Sequence, residues 1–250
     1  DQGLNHLSQT FHRLYQKRLA RGYWRDRERP ILINNWEATC FDFTEEKLLE
    51  IARTAKETGV ELFVLDDGWF GERSNEHAGL GDWFANTKRL PQGITGLSKK
   101  IGEIGMKFGL WFEPEMVNKD SDLYRQHPDW IIAAPERRQS HGRFQYVLDF
   151  SRTEVVDYIY SMMETLLSDA DISYIKWDMN RSITECFSNT LPADRQGEVY
   201  HRYILGVYEL YERLIGRFPQ ILFESCASGG GRFDPGMLYY APQGWTSDDT

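Results

Sequence analysis

Tyr174-Ile175-Lys176-Trp177-Asp178-Met179-Asn180-Arg181 is a short apolar stretch that delivers a lysine and a carboxylate at the point where it stops being apolar. Buried parallel strands read as short apolar runs, and in a barrel of alternating strands and helices their C-terminal ends line the active site. Asp178 is therefore a candidate for chemistry, with a helix-capping aspartate as the competing reading. Side chains alternate along a strand, so Lys176 shares a face with Asp178, and its positive charge favours an ionised, nucleophilic carboxylate.

Working outward from this run, residues 4 to 21 carry Leu4, Leu7, Phe11, Leu14 and Tyr15 at helical spacing and predict a lead-in helix, followed by a charged turn ending at Pro30. Residues 31 to 36 read as a strand. Thr44, Glu45 and Glu46 then open a helix that carries Leu48, Ile51, Ala52 and Ala55 and stops at Gly59. The unit repeats with a strand from Leu62 to Asp66, a helix around Leu97, Ile101 and Ile104, and a strand from Phe108 to Phe112. Residues 118 to 150 are long for a loop between strand and helix, with a short strand expected at Phe144 to Leu148. Helix Thr153 to Leu167, strand Ile172 to Trp177, helix Glu198 to Phe218, strand Gln220 to Phe223 and a short helix from Phe233 to Tyr240 complete the series. Alternation of this kind predicts an α/β fold with a parallel sheet. No Gly-x-Gly-x-x-Gly follows the first strand, and acids or tryptophans stand at most strand ends, which favours a (β/α)8 TIM barrel over a doubly wound sheet. About six of its units are expected here, with residues 1–30 as lead-in and residues 31–250 as a catalytic barrel cut before its last strands, a fragment of something larger.

The 250 residues are 41% hydrophobic and 27% charged, as in ordinary globular domains, and eight of them are tryptophan. A formal charge of −9 without a basic stripe argues against nucleic acid as a partner. Nothing approaches the length of a transmembrane stretch, and the first residues do not form a signal peptide, so no membrane partner is expected. Cys40, Cys186 and Cys226 are odd in number and widely spaced, which suggests neither a disulfide framework nor a zinc site and fits a reducing, cytoplasmic location. His77 and His141 have pocket-facing possibilities, but no metal-ligand spacing accompanies them, so no metal or other cofactor is expected.

Collected in order, the strand ends supply Trp36, Asp66 and Asp67, Trp111 and Glu113, Lys176 and Asp178, Glu224 and Cys226, then Asp248 and Asp249. Indole faces stack on the C–H faces of sugar rings while carboxylates and lysine exchange hydrogen bonds with hydroxyls, so this ring suits a polar, uncharged sugar. Gly229-Gly230-Gly231 lacks the Lys-Ser or Lys-Thr ending of a phosphate loop and reads as a tight turn that lets backbone approach a ligand. Two carboxylates across a pocket suit glycosidic cleavage, and Asp178 with Asp248 is the favoured pair; repulsion from Asp249 is expected to help Asp248 hold a proton. Glu113 with Glu224 is the rival pair. Cys226 reads as a small pocket-wall residue and not as a nucleophile.

The runs Leu65-Asp66-Asp67-Gly68-Trp69-Phe70-Gly71, Gly81-Asp82-Trp83, Gly109-Leu110-Trp111-Phe112-Glu113-Pro114-Glu115-Met116, Lys176 to Arg181, Glu224-Ser225-Cys226-Ala227-Ser228-Gly229-Gly230 and Trp245-Thr246-Ser247-Asp248-Asp249-Thr250 together resemble the family 36 α-galactosidases over most of the chain. The resemblance implies a retaining double displacement with Asp178 as nucleophile and Asp248 as acid/base, Asp248 being the first acid of the Ser-Asp-x-Thr pattern. It implies that Asp66, Asp67 and Lys176 hold galactose hydroxyls, that Trp36 and Trp111 shape the pocket, and that Arg143, Asn180, Cys226 and Gly229 line it. Melibiose- and raffinose-type sugars are the implied substrates. The family's full-length members carry flanking β domains and are often tetrameric. A galactosyltransferase of the raffinose or stachyose synthase type, an α-N-acetylgalactosaminidase and an inert sugar-binding barrel are the alternative readings. The truncated chain alone is expected to show little activity, because its barrel is not closed.

Overall fold

The computed structural model describes residues 2–248. A helix α1, Gly3–Leu14, continues as a π-helical turn, Tyr15–Leu19, and leads to β1, Leu32–Asn34. There follow α2 (Trp36–Thr39), α3 (Glu45–Glu57), β2 (Leu62–Leu65), α4 (Gly93–Glu103), β3 (Lys107–Phe112), β4 (Met116–Val117), α5 (Asp122–Gln126) and β5 (Tyr146–Val147). The chain continues through α6 (Thr153–Asp169), β6 (Tyr174–Trp177), α7 (Val199–Arg217), β7 (Leu222–Ser225), α8 (Pro235–Tyr240) and β8 (Gln243–Gly244).

Six strands form one sheet in the order β1-β2-β3-β6-β7-β8, every pair parallel, and the sheet curls into a half-barrel. The spatial order never reverses along the chain. A doubly wound sheet requires a reversal at its switch point, so that alternative is excluded for the described strands. β4 and β5 pair antiparallel in a separate ribbon that gives the long segment after β3 its structure.

Local chemistry explains where the elements begin. Thr44 Oγ1 accepts the Lys47 N–H at the start of α3, which buries Leu48, Leu49, Ala52 and Ala55. Ser121 caps α5 and Asp234 caps α8 in the same way, with Pro235 opening the α8 helix. One sequence expectation needs correction: Trp36 does not end a strand. Asn34 Oδ1 accepts the Trp36 N–H at 2.8 Å, which turns the chain out of β1 directly into α2.

The register splits the sheet into two faces. Phe63, Leu65, Phe108, Leu110, Phe112, Ile175, Trp177 and Phe223 belong to the large core beneath the helices. Leu32, Leu62, Val64, Tyr174 and Leu222 cluster on the opposite, concave face and are closed off by Trp24. Gly109 makes that packing possible, because a Cβ there would stand 2.7 Å from the Tyr174 ring. Continuing two residues along the same face, Trp111, Lys176 and Glu224 lie side by side in the ladder. The period-2 pattern thus carries apolar packing upward into chemistry within one strand length.

Candidate active site

A cavity of about 420 Å³ opens at the C-terminal ends of the strands and is lined by Trp36, Asp66, Asp67, Trp111, Arg143, Lys176, Asp178, Asn180 and Asp248, with Asn34, Glu37, Trp245 and Ser247 among the rest. Nine of the eleven residues expected from sequence are brought together here. Cys226 and Gly229 are not on the lining. Cys226 is buried behind Asp178, and its thiol is pushed up by burial and by the Asp178 charge, which leaves it no thiolate character. Gly229 instead backs the cavity wall: at φ +82° its missing side chain lets Ser247 approach, since a Cβ would meet the Ser247 Cα at 2.9 Å. Gly230 N–H donates to Thr246 O at 3.1 Å beside it, so the glycine turn fixes the segment carrying Asp248.

Asp178 is 6% exposed, and its two oxygens are fully directed. Oδ1 accepts the Met179 N–H at 2.9 Å, and Oδ2 accepts Asn180 Nδ2 at 2.9 Å and the Trp111 indole N–H at 3.2 Å. Asp248, at the exposed rim, accepts the Trp245 indole N–H at 2.9 Å. Asp249 lies outside the described residues, so its expected influence on Asp248 has no structural counterpart here.

Lys176 does not make its ion pair with Asp178. Its Nζ donates to Asp66 Oδ2 at 3.1 Å, where Asn34 Nδ2 also donates at 2.5 Å. Burial pushes the Lys176 ammonium down, but the charges of Asp66 and then Asp178 outweigh it and hold it above the ordinary lysine value. Lys176 Nζ also stands 5.0 Å from the centre of the Trp245 ring. A single cation therefore meets two cavity walls, one after β2 and one after β8.

Asp67 is held by a residue that the sequence did not single out. Arg73, 2% exposed, grips it through Nε at 2.9 Å and Nη2 at 2.7 Å. Burial still drives the Asp67 carboxyl upward, against the pull of Arg73. Arg73 Nη1 donates in turn to Asn118 Oδ1 at 3.0 Å, and Asn118 Nδ2 donates to Phe144 O at 2.9 Å. Arg143 and Phe144 both adopt left-handed backbone, φ 51° and 59°, at the tip that brings Arg143 to the cavity. The long segment after β3 is thus tied to the acid pair after β2. His77 and His141 pack on the Phe144 ring and do not line the cavity.

The rival carboxylates are walled in. Glu224 accepts Tyr174 Oη and Gln243 Nε2, each at 2.5 Å, and burial raises its proton affinity. Glu113 is fully buried, and neither residue lines the cavity. Glu115 is equally buried and is bound by both terminal nitrogens of Arg232, at 2.8 and 2.9 Å, and by the Trp177 indole at 2.8 Å. Among the described residues no group of three or more His, Cys, Asp or Glu is arranged to hold a metal ion, and no helix is long and apolar enough to cross a membrane.

The family model described as Melibiase matches residues 1–250. The chain belongs to the Melibiase family. Across its whole length it is 61% identical to α-galactosidase AgaA of Geobacillus stearothermophilus and 52% identical to α-galactosidase Mel36A of Lactobacillus acidophilus. It spans 34% of each, about a third of the length of these relatives. The crystal structure of AgaA, a GH36 α-galactosidase, superposes with a TM-score of 0.98 over all of this chain and 35% of that one. An AgaA variant solved with raffinose superposes equally well, at 60% identity and with the same coverage.

Proposed function

We propose that this chain is the catalytic portion of an exo-acting α-galactosidase that removes terminal α-linked galactose from melibiose- and raffinose-type sugars with retention of configuration. The observation that carries the reading is a pair of carboxylates on one cavity, each fixed by an indole: Asp178 by Trp111 and Asp248 by Trp245. In this reading Asp178 attacks the anomeric carbon while Asp248 gives its proton to the leaving oxygen, forming a galactosyl ester. Asp248 then takes a proton from water, the water oxygen attacks the same carbon, and Asp178 leaves as a carboxylate. The proton count closes, and no cofactor enters.

The remaining walls match a hydroxylated ring. Asp66, Asp67 and Lys176 present charged acceptors and a donor, while Trp36 and Trp111 supply flat apolar surface. The volume lies within the range of small-molecule sites, about 300–1,000 Å³. Six parallel strands in unbroken order support a (β/α)8 barrel, with two further strands closing the gap between β8 and β1 in the intact protein.

The test is Asp178→Ala in the intact protein, assayed on p-nitrophenyl α-galactoside. Turnover is expected to fall by about 10⁴-fold or more, with added azide restoring release of nitrophenol and giving β-galactosyl azide. Wild-type turnover in this variant would remove Asp178 from the reaction.

A further inference from the structure

Two glutamates stand two residues apart just beyond β3, both with 0% exposure, and one has a cation where the other has none. Glu115 has a guanidinium on both oxygens. Glu113 has no ion pair within 4 Å among the described residues; its contacts are the Asn180 N–H on Oε1 at 2.5 Å and Gln145 Nε2 on Oε2 at 2.7 Å. A buried carboxylate without a cation is among the most costly groups a protein can hold, and it relieves that cost by binding a proton. The proton needs an acceptor, and the site contains one. Gln145 Oε1 is buried without a hydrogen-bond partner in the present amide orientation. Turning the amide over exchanges its two ends, so that Oε1 lies beside Glu113 Oε2 and accepts a carboxyl proton from it.

We propose that Glu113 is a positioning residue that carries a proton in the resting protein, a neutral carboxyl holding the Asn180 peptide and the Gln145 amide so that Asp178 faces an uncharged wall there. Its place explains the use. Asn180 donates its backbone N–H to Glu113 Oε1 and passes the constraint on through its side chain, which donates to Asp178 Oδ2 at 2.9 Å. Gln145 stands two residues from Arg143, on the segment that reaches the cavity. The charged and titratable groups facing Glu113 are Asp178 after β6, Arg73 and Asp67 after β2, and Tyr203 on α7. Burial and then Asp178 push Glu113 up to about 8, while the Asn180 N–H and Arg73 only partly oppose them. The consequence for catalysis rests on Asp178 being the nucleophile, whereas the proton itself does not.

Difference infrared spectroscopy of the intact protein, wild type against Glu113→Gln, tests the proposal. A protonated-carboxyl C=O band is expected at neutral pH in the wild type, absent from the variant and fading with a midpoint near pH 8. Asp178→Asn, which keeps Glu113 and removes its anionic neighbour, should move that midpoint to lower pH. The stability profile follows with a definite sign. A carboxyl whose folded pKa is about 8 against an ordinary 4.5 stabilises fully below 4.5, so the wild type should lose stability relative to Glu113→Gln as pH rises between those values. Identical spectra at neutral pH would overturn the proposal. If Glu113→Gln does not fold, a midpoint unmoved in Asp178→Asn would overturn it instead. Should Asp178→Ala retain turnover while the band persists, the nucleophile assignment fails and the Glu113 proton stands.

Discussion

The two ends of one parallel sheet in this molecule hold cavities of similar size and opposite character. At the N-terminal ends of the strands, a cavity of about 570 Å³ is lined by Lys56, Glu61, Lys107, Asp171 and Ser173 with backbone-rich neighbours. At the C-terminal ends, the smaller cavity of about 420 Å³ is walled by acids, a lysine and indoles. Volume therefore does not mark the site. The difference lies in how the polar groups are held. Lys107 is exposed, and its Nζ lies over the face of Trp24, 5.9 Å from the ring centre. Lys176 is 9% exposed, bonded to Asp66 and influenced by Asp178. A parallel sheet points all its strands the same way, so one end collects loops that can be specialised while the other serves stability.

Substitutions at the two lysines turn that contrast into measurements on the intact protein. Lys176→Met leaves the buried Asp66 carboxylate with only the Asn34 side chain and the Asp67 N–H as donors, and removes a charged donor from the cavity. A loss of about 10²- to 10³-fold in kcat/KM on an α-galactoside is expected, about 3–4 kcal/mol, the scale of removing one charge-stabilising donor from an active site. Retention of most activity would break the comparison at its centre. Lys107→Ala, at the other end, should leave kcat and KM within about twofold and shift stability by less than about 1 kcal/mol in thermal unfolding, as for an exposed cation on a ring. A tenfold drop in kcat there would show that the lower cavity takes part.

Much of the upper end was legible because the signal was local. Short apolar runs that end in Asp66-Asp67 or Lys176-x-Asp178 announce both a strand and the point where it meets the site, and the period of two fixes which side chains share a face. The strand limits were less legible. β1 ends at Asn34 because an asparagine side chain captures the Trp36 N–H, a competition that apolar pattern does not register. Asn34 itself had a usable signal: it is the polar residue on which the apolar run from Ile31 stops, and it reaches Asp66.

Arg73, Asn118 and Gln145 were not legible at all. Each lies in an irregular segment, and each acquires its role through a contact made across the fold: Arg73 to Asn118 over 45 residues and Gln145 to Glu113 over 32. Nothing in their own neighbourhoods in sequence sets them apart from ordinary surface polar residues. The two glutamates beyond β3 illustrate the same limit. Their sequence contexts are nearly equal, yet one meets Arg232 from the loop after β7 and the other meets only amides.

In the proposed reaction, Asp178 and Asp248 act on opposite faces of one anomeric carbon in two displacements. Proton NMR of the first-formed galactose during hydrolysis of an α-galactoside by the intact protein, read before mutarotation equilibrates the anomers, tests it most directly. With two displacements α-galactose appears first and β-galactose grows in afterwards. β-Galactose as the first product would mean a single displacement by water, and would contradict a covalent role for Asp178.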